Sequence, residues 1–162
     1  MKKTECQYRV SVIIPVHNTA PYLKRCIESV RSQLLKDIEI ILVDNKSEDT
    51  SSDICDEYGR IDNRIKVIHL LEAGASIARN AGLKIASAPY IGFVDSDDCI
   101  NERMYMDLLC AIETYHADIA YCNFCYEYED GRIEHLYTNS GLVVERMSKE
   151  VVEDIICEKV SS

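Results

Sequence analysis

Asp95-Ser96-Asp97 places two carboxylates one residue apart, directly after the apolar run Tyr90 to Val94. At a strand end that opens into a turn, both acids can face one small region while the backbone bends between them. Such a pair suits a hard divalent cation. Mg2+ or Mn2+ takes oxygen ligands and is commonly held by one or two carboxylates together with phosphates and waters. The same spacing also describes ordinary turn-formers and helix caps, so its meaning depends on its companions. Polar residues stand at comparable places elsewhere: His17-Asn18 follows the apolar run from Val10, and Asp44-Asn45 follows Ile38 to Val43. Arg79 adds a positive charge that can meet a phosphate or pair with one of the many acids.

Cys122-Asn123-Phe124-Cys125 has the spacing of metal and redox sites. It falls in a predicted strand, where residues three apart point to opposite faces, and no second pair supports a zinc site. Buried packing thiols are the expectation there.

These residues need elements to position them. Val10-Ser11-Val12-Ile13-Ile14-Pro15 reads as a buried strand, and Asn18-Thr19-Ala20-Pro21 then offers caps and a first-turn proline for a helix carrying Leu23, Ile27, Val30 and Leu34 at helical spacing. The alternation returns with a strand at Ile38 to Val43, a helix from about Thr50 to Tyr58 and a strand at Ile65 to Leu70. A helix from Ser76 to Ala86 follows, with Ile77, Ala81 and Ile85 at i, i+4 and i+8, and then a strand at Tyr90 to Val94. Strands alternating with helices at this rhythm predict an α/β fold, a mainly parallel sheet with helices on both faces. In such sheets ligands bind beyond the carboxyl ends of the strands, which is where the polar pairs stand.

Further along, Met104, Leu108, Ala111, Ile112 and Tyr115 predict another amphipathic helix, and Asp118 to Tyr128 reads as strand-like. Asp130-Gly131 is a hairpin signal leading into Arg132 to Tyr137, and a last helix is expected around Ser148 to Cys157. No repeat, low-complexity segment or linker divides the sequence, so 162 residues read as one domain.

Composition narrows the function classes. With 28 acidic against 18 basic residues the formal charge is -10, which repels phosphate backbones and argues against nucleic acid as a partner. The eight cysteines are spread through a chain too large to need a disulfide scaffold and read as reduced thiols. The apolar runs are strand-sized, and none near the N-terminus has the length of a signal peptide or a membrane span. The expectation is a cytoplasmic protein.

Four blocks of the sequence together are more specific than any one of them. Val10-Ser11-Val12-Ile13-Ile14-Pro15-Val16-His17-Asn18, Ile40-Ile41-Leu42-Val43-Asp44-Asn45-Lys46-Ser47-Glu48-Asp49, Ala78-Arg79-Asn80-Ala81-Gly82 and Tyr90-Ile91-Gly92-Phe93-Val94-Asp95-Ser96-Asp97-Asp98 resemble, in order and spacing, the blocks of family 2 glycosyltransferases, over about residues 9 to 115. The resemblance implies a GT-A fold, a Rossmann-like sheet whose first strands cradle the nucleotide of a sugar donor, usually uridine diphosphate. Carried over by position, it implies that Pro15 and His17 line the base, with Asn18 beside them among the nucleotide-sugar-binding residues. Asp44 and Asn45 reach base or ribose, and Asp95 and Ser96 approach ribose and diphosphate. Asp97, with Asp95, becomes the ligand set for Mn2+ or Mg2+, and Arg79 a second positive charge at the diphosphate. The implied partners are a nucleotide-sugar donor and a saccharide or lipid-linked saccharide acceptor, with peripheral membrane association through a later region at the inner face of the membrane. The implied reaction is an inverting transfer serving bacterial cell-surface polysaccharide synthesis. The contrasting reading is a binding module without turnover.

The sequence departs from the family pattern at defined places. Asn45 replaces the second acid of the family's Asp-Asp-Gly-Ser and Lys46 its glycine, His17 replaces a usual tyrosine, and Leu71-Glu72-Ala73-Gly74 lacks an asparagine before the glycine. Asn45 offers an acceptor oxygen and a donor nitrogen to a uracil edge where an aspartate only accepts. An inverting transfer needs a general base, expected beyond the C-terminus of a truncated chain; within it, Glu127, Glu129 and Asp130 are candidates by charge only.

Overall fold

β-Branched residues dominate the runs that become the two central strands, β1 (Val10–Val16) and β2 (Ile38–Asp44), which pair in parallel from Val10 with Ile38 to Val16 with Asp44. The computed structural model describes residues 7–128 and 130–135. Helix α1 (Ala20–Arg31) joins these strands, with Pro21 in its first turn, where a missing N–H costs nothing. Helix α2 (Ser51–Ile61) leads to β3 (Ile65–His69), and α3 (Ala75–Ile85) to β4 (Tyr90–Phe93). The sheet order is β3-β2-β1-β4, all parallel, so each connection is a helical crossover.

Alternation along the strands assigns the faces. Ile13, Ile41 and Val43 cluster with Ala78 of α3, joined by Ile68, Leu70, Ala81 and Ala86. Neighbouring positions such as Val12, Ile14, Ile40 and Leu42 therefore point to the other face, where α1 buries Leu23, Cys26, Ile27 and Val30 and α2 buries Ile54, Cys55 and Tyr58. Both strands are closed to solvent on each face, with full burial worth about 1.5–3 kcal/mol per large aliphatic side chain.

Two expected stripes shift. Leu34 lies past the end of α1 and is exposed, because the helix stops at Arg31. On α3 the packed positions are Ala78 and Gly82, whereas Ile77 and Ile85 are exposed. Close approach is the reason: a Cβ on Gly82 would fall 2.5 Å from Cγ2 of Ile13, so this helix lies nearly on the sheet and only small residues fit beneath it.

At the amino end of the sheet, Glu39 is fully buried and fully bonded. Its Oε2 accepts from Ser11 Oγ at 2.5 Å and Ser87 N at 2.9 Å, and its Oε1 accepts from Ser87 Oγ at 2.8 Å and lies 2.5 Å from Lys66 Nζ. This cluster ties β1, β2, β3 and the entry to β4 at the end opposite the polar strand-end residues.

Contacts group the chain into two units, Met1–Asp107 and Leu108–Ser162. Helix α4 (Met104–Tyr115) runs across that boundary. In the second unit, β5 (Cys125–Glu127) and β6 (Ile133–His135) form an antiparallel hairpin whose turn contains Gly131 at φ +82°. The hairpin signal at Asp130-Gly131 is thus met, but the strand is much shorter than the span from Asp118 expected of it. Cys122 and Cys125 are exposed rather than buried among the described residues, and all three residues of β5 are exposed with them. The helix expected around Ser148 to Cys157 lies outside the described residues.

Candidate functional site

Strand order places the change of direction between β1 and β4, because β2 and β3 build outward on one side of β1 and β4 on the other. The ladder between β1 and β4 ends at Ile13 with Phe93, followed by a bond from Val94 N to Ile13 O at 3.2 Å. Pro15 lies beyond that point. Backbone groups alternate along a strand, so its missing N–H falls on the β4 side, where no partner needs it. The two strands part here and leave the crevice in which parallel α/β sheets bind ligands.

The loops after β1 and β2 are laced together beside this crevice. His17 donates from Nδ1 to the carbonyl of Asn45 at 2.9 Å, which leaves Nε2 free to accept from Asn18 Nδ2 at 3.5 Å. Asn18 adopts φ +53° and its Oδ1 accepts from Glu48 N at 2.8 Å, while Ser47 Oγ accepts from Asn18 N at 3.3 Å. Thr19 N and Ala20 N, unpaired within their own helix, donate to Ser51 Oγ at 3.0 Å and Asp49 Oδ2 at 3.1 Å. His17 and Asn18 remain exposed within this frame.

Asp44 ends β2 with its carboxylate almost sealed from solvent, at 7% side-chain exposure. Oδ1 accepts from Ser47 N at 3.0 Å and Oδ2 from His69 Nδ1 at 3.0 Å. Burial pushes this acid up, but the bonds from His69 and Ser47 outweigh it and hold its carboxyl below the usual range. Asn45 points to the opposite face. Its Oδ1 accepts from Gly74 N at 2.8 Å, fastening the loop after β3 to the end of β2. The oxygen expected to meet a base edge is therefore already bonded within the protein, and Nδ2 is the part of the amide without that commitment.

After β4 the chain turns at once, with Asp98 N donating to Asp95 O at 3.0 Å. Ser96 is buried and its Oγ accepts from Thr19 Oγ1 at 2.9 Å, which links this turn to the start of α1. Asp95, Asp97 and Asp98 are exposed. Arg79, reaching from α3, donates from Nη2 to Asp95 Oδ1 at 2.8 Å, so the acid it pairs with belongs to the motif itself. Burial and the charges of Asp97 and Asp95 raise Asp98, and burial, helped by the neighbouring acids, pushes the Cys26 thiol up to about 12. Negative charge is in excess here, and Asp97 makes no side-chain bond among the described residues. Exposed carboxylate oxygens of this kind fit a Mg2+ or Mn2+ ion. No group of three or more acid, His or Cys ligands converges among the described residues, so diphosphate and water must supply the rest of such a shell.

The structure thus gathers Pro15, His17, Asn18, Asp44, Asn45, Arg79, Asp95, Ser96 and Asp97 at one end of one sheet. It adds Thr19, Ser47, Asp49, Gly74 and above all His69. That histidine ends β3 as Asp44 ends β2, and the strand-end rule applied to the third strand points to it. Of the charge-only base candidates, Asp130 pairs with Arg132 at 2.7 Å in the exposed hairpin, Glu127 belongs to β5, and Glu129 lies outside the described residues. No helix of the described residues is long and apolar enough to cross a membrane.

The sequence matches the profile of Glycosyl transferase family 2 over residues 11–157. EpsJ of Bacillus subtilis, an uncharacterized glycosyltransferase, is 43% identical over 123 residues, which cover 76% of this chain and 36% of EpsJ. The minor teichoic acid biosynthesis protein GgaA of the same organism is 39% identical over 119 residues, covering 68% of this chain and 26% of GgaA. Among solved structures, residues 1-349 of S. aureus TarS in complex with UDP-GlcNAc share the fold at a TM-score of 0.63 and 32% identity, over 68% of this chain and 32% of that one. This chain spans roughly a third or less of the length of these relatives.

Proposed function

The chain belongs to glycosyl transferase family 2, and from that membership we propose that its parallel sheet binds the nucleotide of a sugar donor for transfer to an acceptor hydroxyl. One observation carries the reading: the β1/β4 crevice lies between a sealed carboxylate, Asp44, and an exposed acid cluster, Asp95 to Asp98, with Arg79 beside it. A sealed acceptor at one end suits a base N–H. An excess of acid at the other suits a cation and the diphosphate it accompanies.

The donor is a UDP-sugar, a reading supported by the UDP-GlcNAc bound in the TarS structure. Pro15, His17 and Asn18 flank the base, Asp44 accepts from its N–H, and Asn45 offers Nδ2 to a carbonyl. Asp97, with Asp95, holds Mn2+ or Mg2+, which as a Lewis acid neutralises charge on the departing diphosphate. Arg79, released from Asp95 toward the phosphates, adds a second positive charge, and Ser96 fixes the turn that aims these acids. Transfer is inverting, with its general base among residues other than those placed here. The acceptor is a saccharide or lipid-linked saccharide of a bacterial surface polymer, which the kinship with GgaA supports. The protein acts in the cytoplasm, peripherally at the inner face of the membrane.

The test is calorimetric: UDP-, GDP-, CDP- and dTDP-sugars titrated with and without Mn2+. A UDP-sugar is expected to bind in the micromolar to millimolar range and only with the cation. Tighter binding of another nucleotide sinks the donor assignment, and equal binding in chelator sinks the metal. Donor binding without turnover is the second reading, in which none of the residues placed here serves as a general base. Acceptor-dependent release of UDP separates the two.

A further inference from the structure

We propose that His69 is a positioning residue for Asp44, holding that carboxylate in place for the donor's nucleotide only while both ring nitrogens carry protons. The inference rests on the donor-binding reading above. The β2/β3 register sets Asp44 directly beside His69, and parallel partners share a face. His69 Nδ1 is 3.0 Å from Asp44 Oδ2, and Nε2 is 3.0 Å from Asp56 Oδ1 on α2. Ser52 Oγ, one turn before Asp56, lies 3.2 Å from Nδ1.

An ionised carboxylate only accepts, and a neutral imidazole has one N–H and one bare lone pair. Only the imidazolium donates to both acids. When the ring is neutral, one contact becomes lone pair against carboxylate, and Ser52 decides which. Its hydroxyl can turn to donate to Nδ1, so the neutral ring keeps its N–H on Nε2 toward Asp56 and gives up the bond to Asp44. Asp44 is then held through Oδ1 and Ser47 alone. The groups facing the ring are Asp44 from β2 and Ser52 and Asp56 from α2. Cys55, buried close to both acids, has its thiol pushed up to about 12 and carries no charge.

The bond to Asp44 raises the basicity of His69, burial opposes it, and Asp56 adds to it, so the ring titrates above its ordinary 6.5. The sign follows. A raised imidazole keeps its proton at and below neutral pH and loses it as pH climbs through the raised value, so donor affinity is full at low pH and falls with rising pH. The ring is 42% exposed, which gives its proton ready exchange with solvent.

The test uses calorimetric binding of UDP-N-acetylglucosamine with Mn2+ between about pH 6.5 and 8.5, a range over which the diphosphate diester keeps constant charge. The His69 ring is titrated in parallel by NMR. Wild-type affinity is expected to fall roughly tenfold with a midpoint matching that of the ring. His69→Gln, which can donate to one acid only, is expected to bind roughly tenfold more weakly at low pH and with no pH dependence. Asp56→Asn, at an exposed position that leaves folding intact, is expected to move both midpoints to lower pH together. Affinity that ignores the ring's titration, or wild-type binding by a folded His69→Gln, overturns the proposal while leaving the donor reading in place. A wild-type chain that binds no UDP-sugar at any pH removes both.

Discussion

The side-chain oxygen of Asn45 accepts the backbone N–H of Gly74 at 2.8 Å, joining the loop after β3 to the end of β2. Asn45 is buried and Gly74 begins the loop-to-helix transition into α3. A single side chain therefore sets where α3, and Arg79 on it, enters the site.

Asn45→Ala removes the acceptor and leaves a part-buried N–H without its partner. The expected cost is about 1–2 kcal/mol, read as a fall of several degrees in melting temperature. Asn45→Asp keeps the acceptor and makes the bond charge-assisted, so it is expected to lose less stability than Asn45→Ala. An unchanged melting temperature in Asn45→Ala shows that the bond does not fasten the loop.

Glu39 gives a pH signature at the other end of the sheet. Burial pushes its carboxyl up, but bonds from Lys66, Ser11 and Ser87 prevail and lower it from 4.5 to about 2. A depressed acid contributes stability that is present above its unfolded value and lost as pH falls through its folded one. Glu39→Gln leaves Lys66 opposite a neutral amide and is expected to cost about 3 kcal/mol at neutral pH. The difference between the two proteins is expected to shrink between about pH 4.5 and pH 2. Denaturant melts across that range check it; a difference independent of pH shows that the charge of Glu39 is not the stabilising part.

Much of this was legible in sequence because β-branched runs alternating with amphipathic helices leave few other folds open, and parallel strands send their polar termini to one end. Asp44, Asn45 and the Asp95 to Asp97 turn stand where that rule places them. What could not be read is which bonds those groups make. Whether the oxygen of Asn45 faces a ligand or Gly74 depends on a loop that returns from β3, and His69 acquires two acid partners only when β3 docks beside β2 and α2. The face of α3 obeys a related rule: Ile77, Ala81 and Ile85 at i, i+4 and i+8 mark a core stripe only when the helix stands off the sheet, and Gly82 lets it lie against Ile13, so that of the three only Ala81 packs on the core.

Lys46 is a departure that the backbone makes costly. It stands where the family pattern has glycine and adopts φ +58°. A side chain in that left-handed region costs about 1–2 kcal/mol per residue, and glycine returns about 0.5–1 kcal/mol of that as unfolded-state entropy. Lys46→Gly is therefore expected to stabilise the chain by up to about 1 kcal/mol, while Lys46→Ala, with the same strained backbone, is expected to gain nothing. Equal melting temperatures for all three proteins show that the loop relaxes around the substitution.

Asp95 and Asp97 belong to one motif but are differently engaged, and that difference separates the two positive charges assigned to the diphosphate. Asp95 is neutralised by Arg79 at 2.8 Å, whereas Asp97 is exposed beside two other acids. Removing Asp97 takes away the carboxylate with no cation of its own, so Asp97→Ala is expected to abolish Mn2+-dependent UDP binding. Removing Arg79 has the opposite profile. Arg79→Ala takes a positive charge from the phosphates but frees Asp95 as a ligand. It is expected to weaken UDP by about 1 kcal/mol or more at any Mn2+ concentration, while Mn2+ itself binds no more weakly. The two effects share a partner, so the double variant is expected to depart from additivity by about 0.5 kcal/mol or more. Calorimetry of UDP at several Mn2+ concentrations on the three variants checks it. If Asp97→Ala and Arg79→Ala lose the same cation-dependent component, the arginine acts through the metal ligands and not on the phosphates.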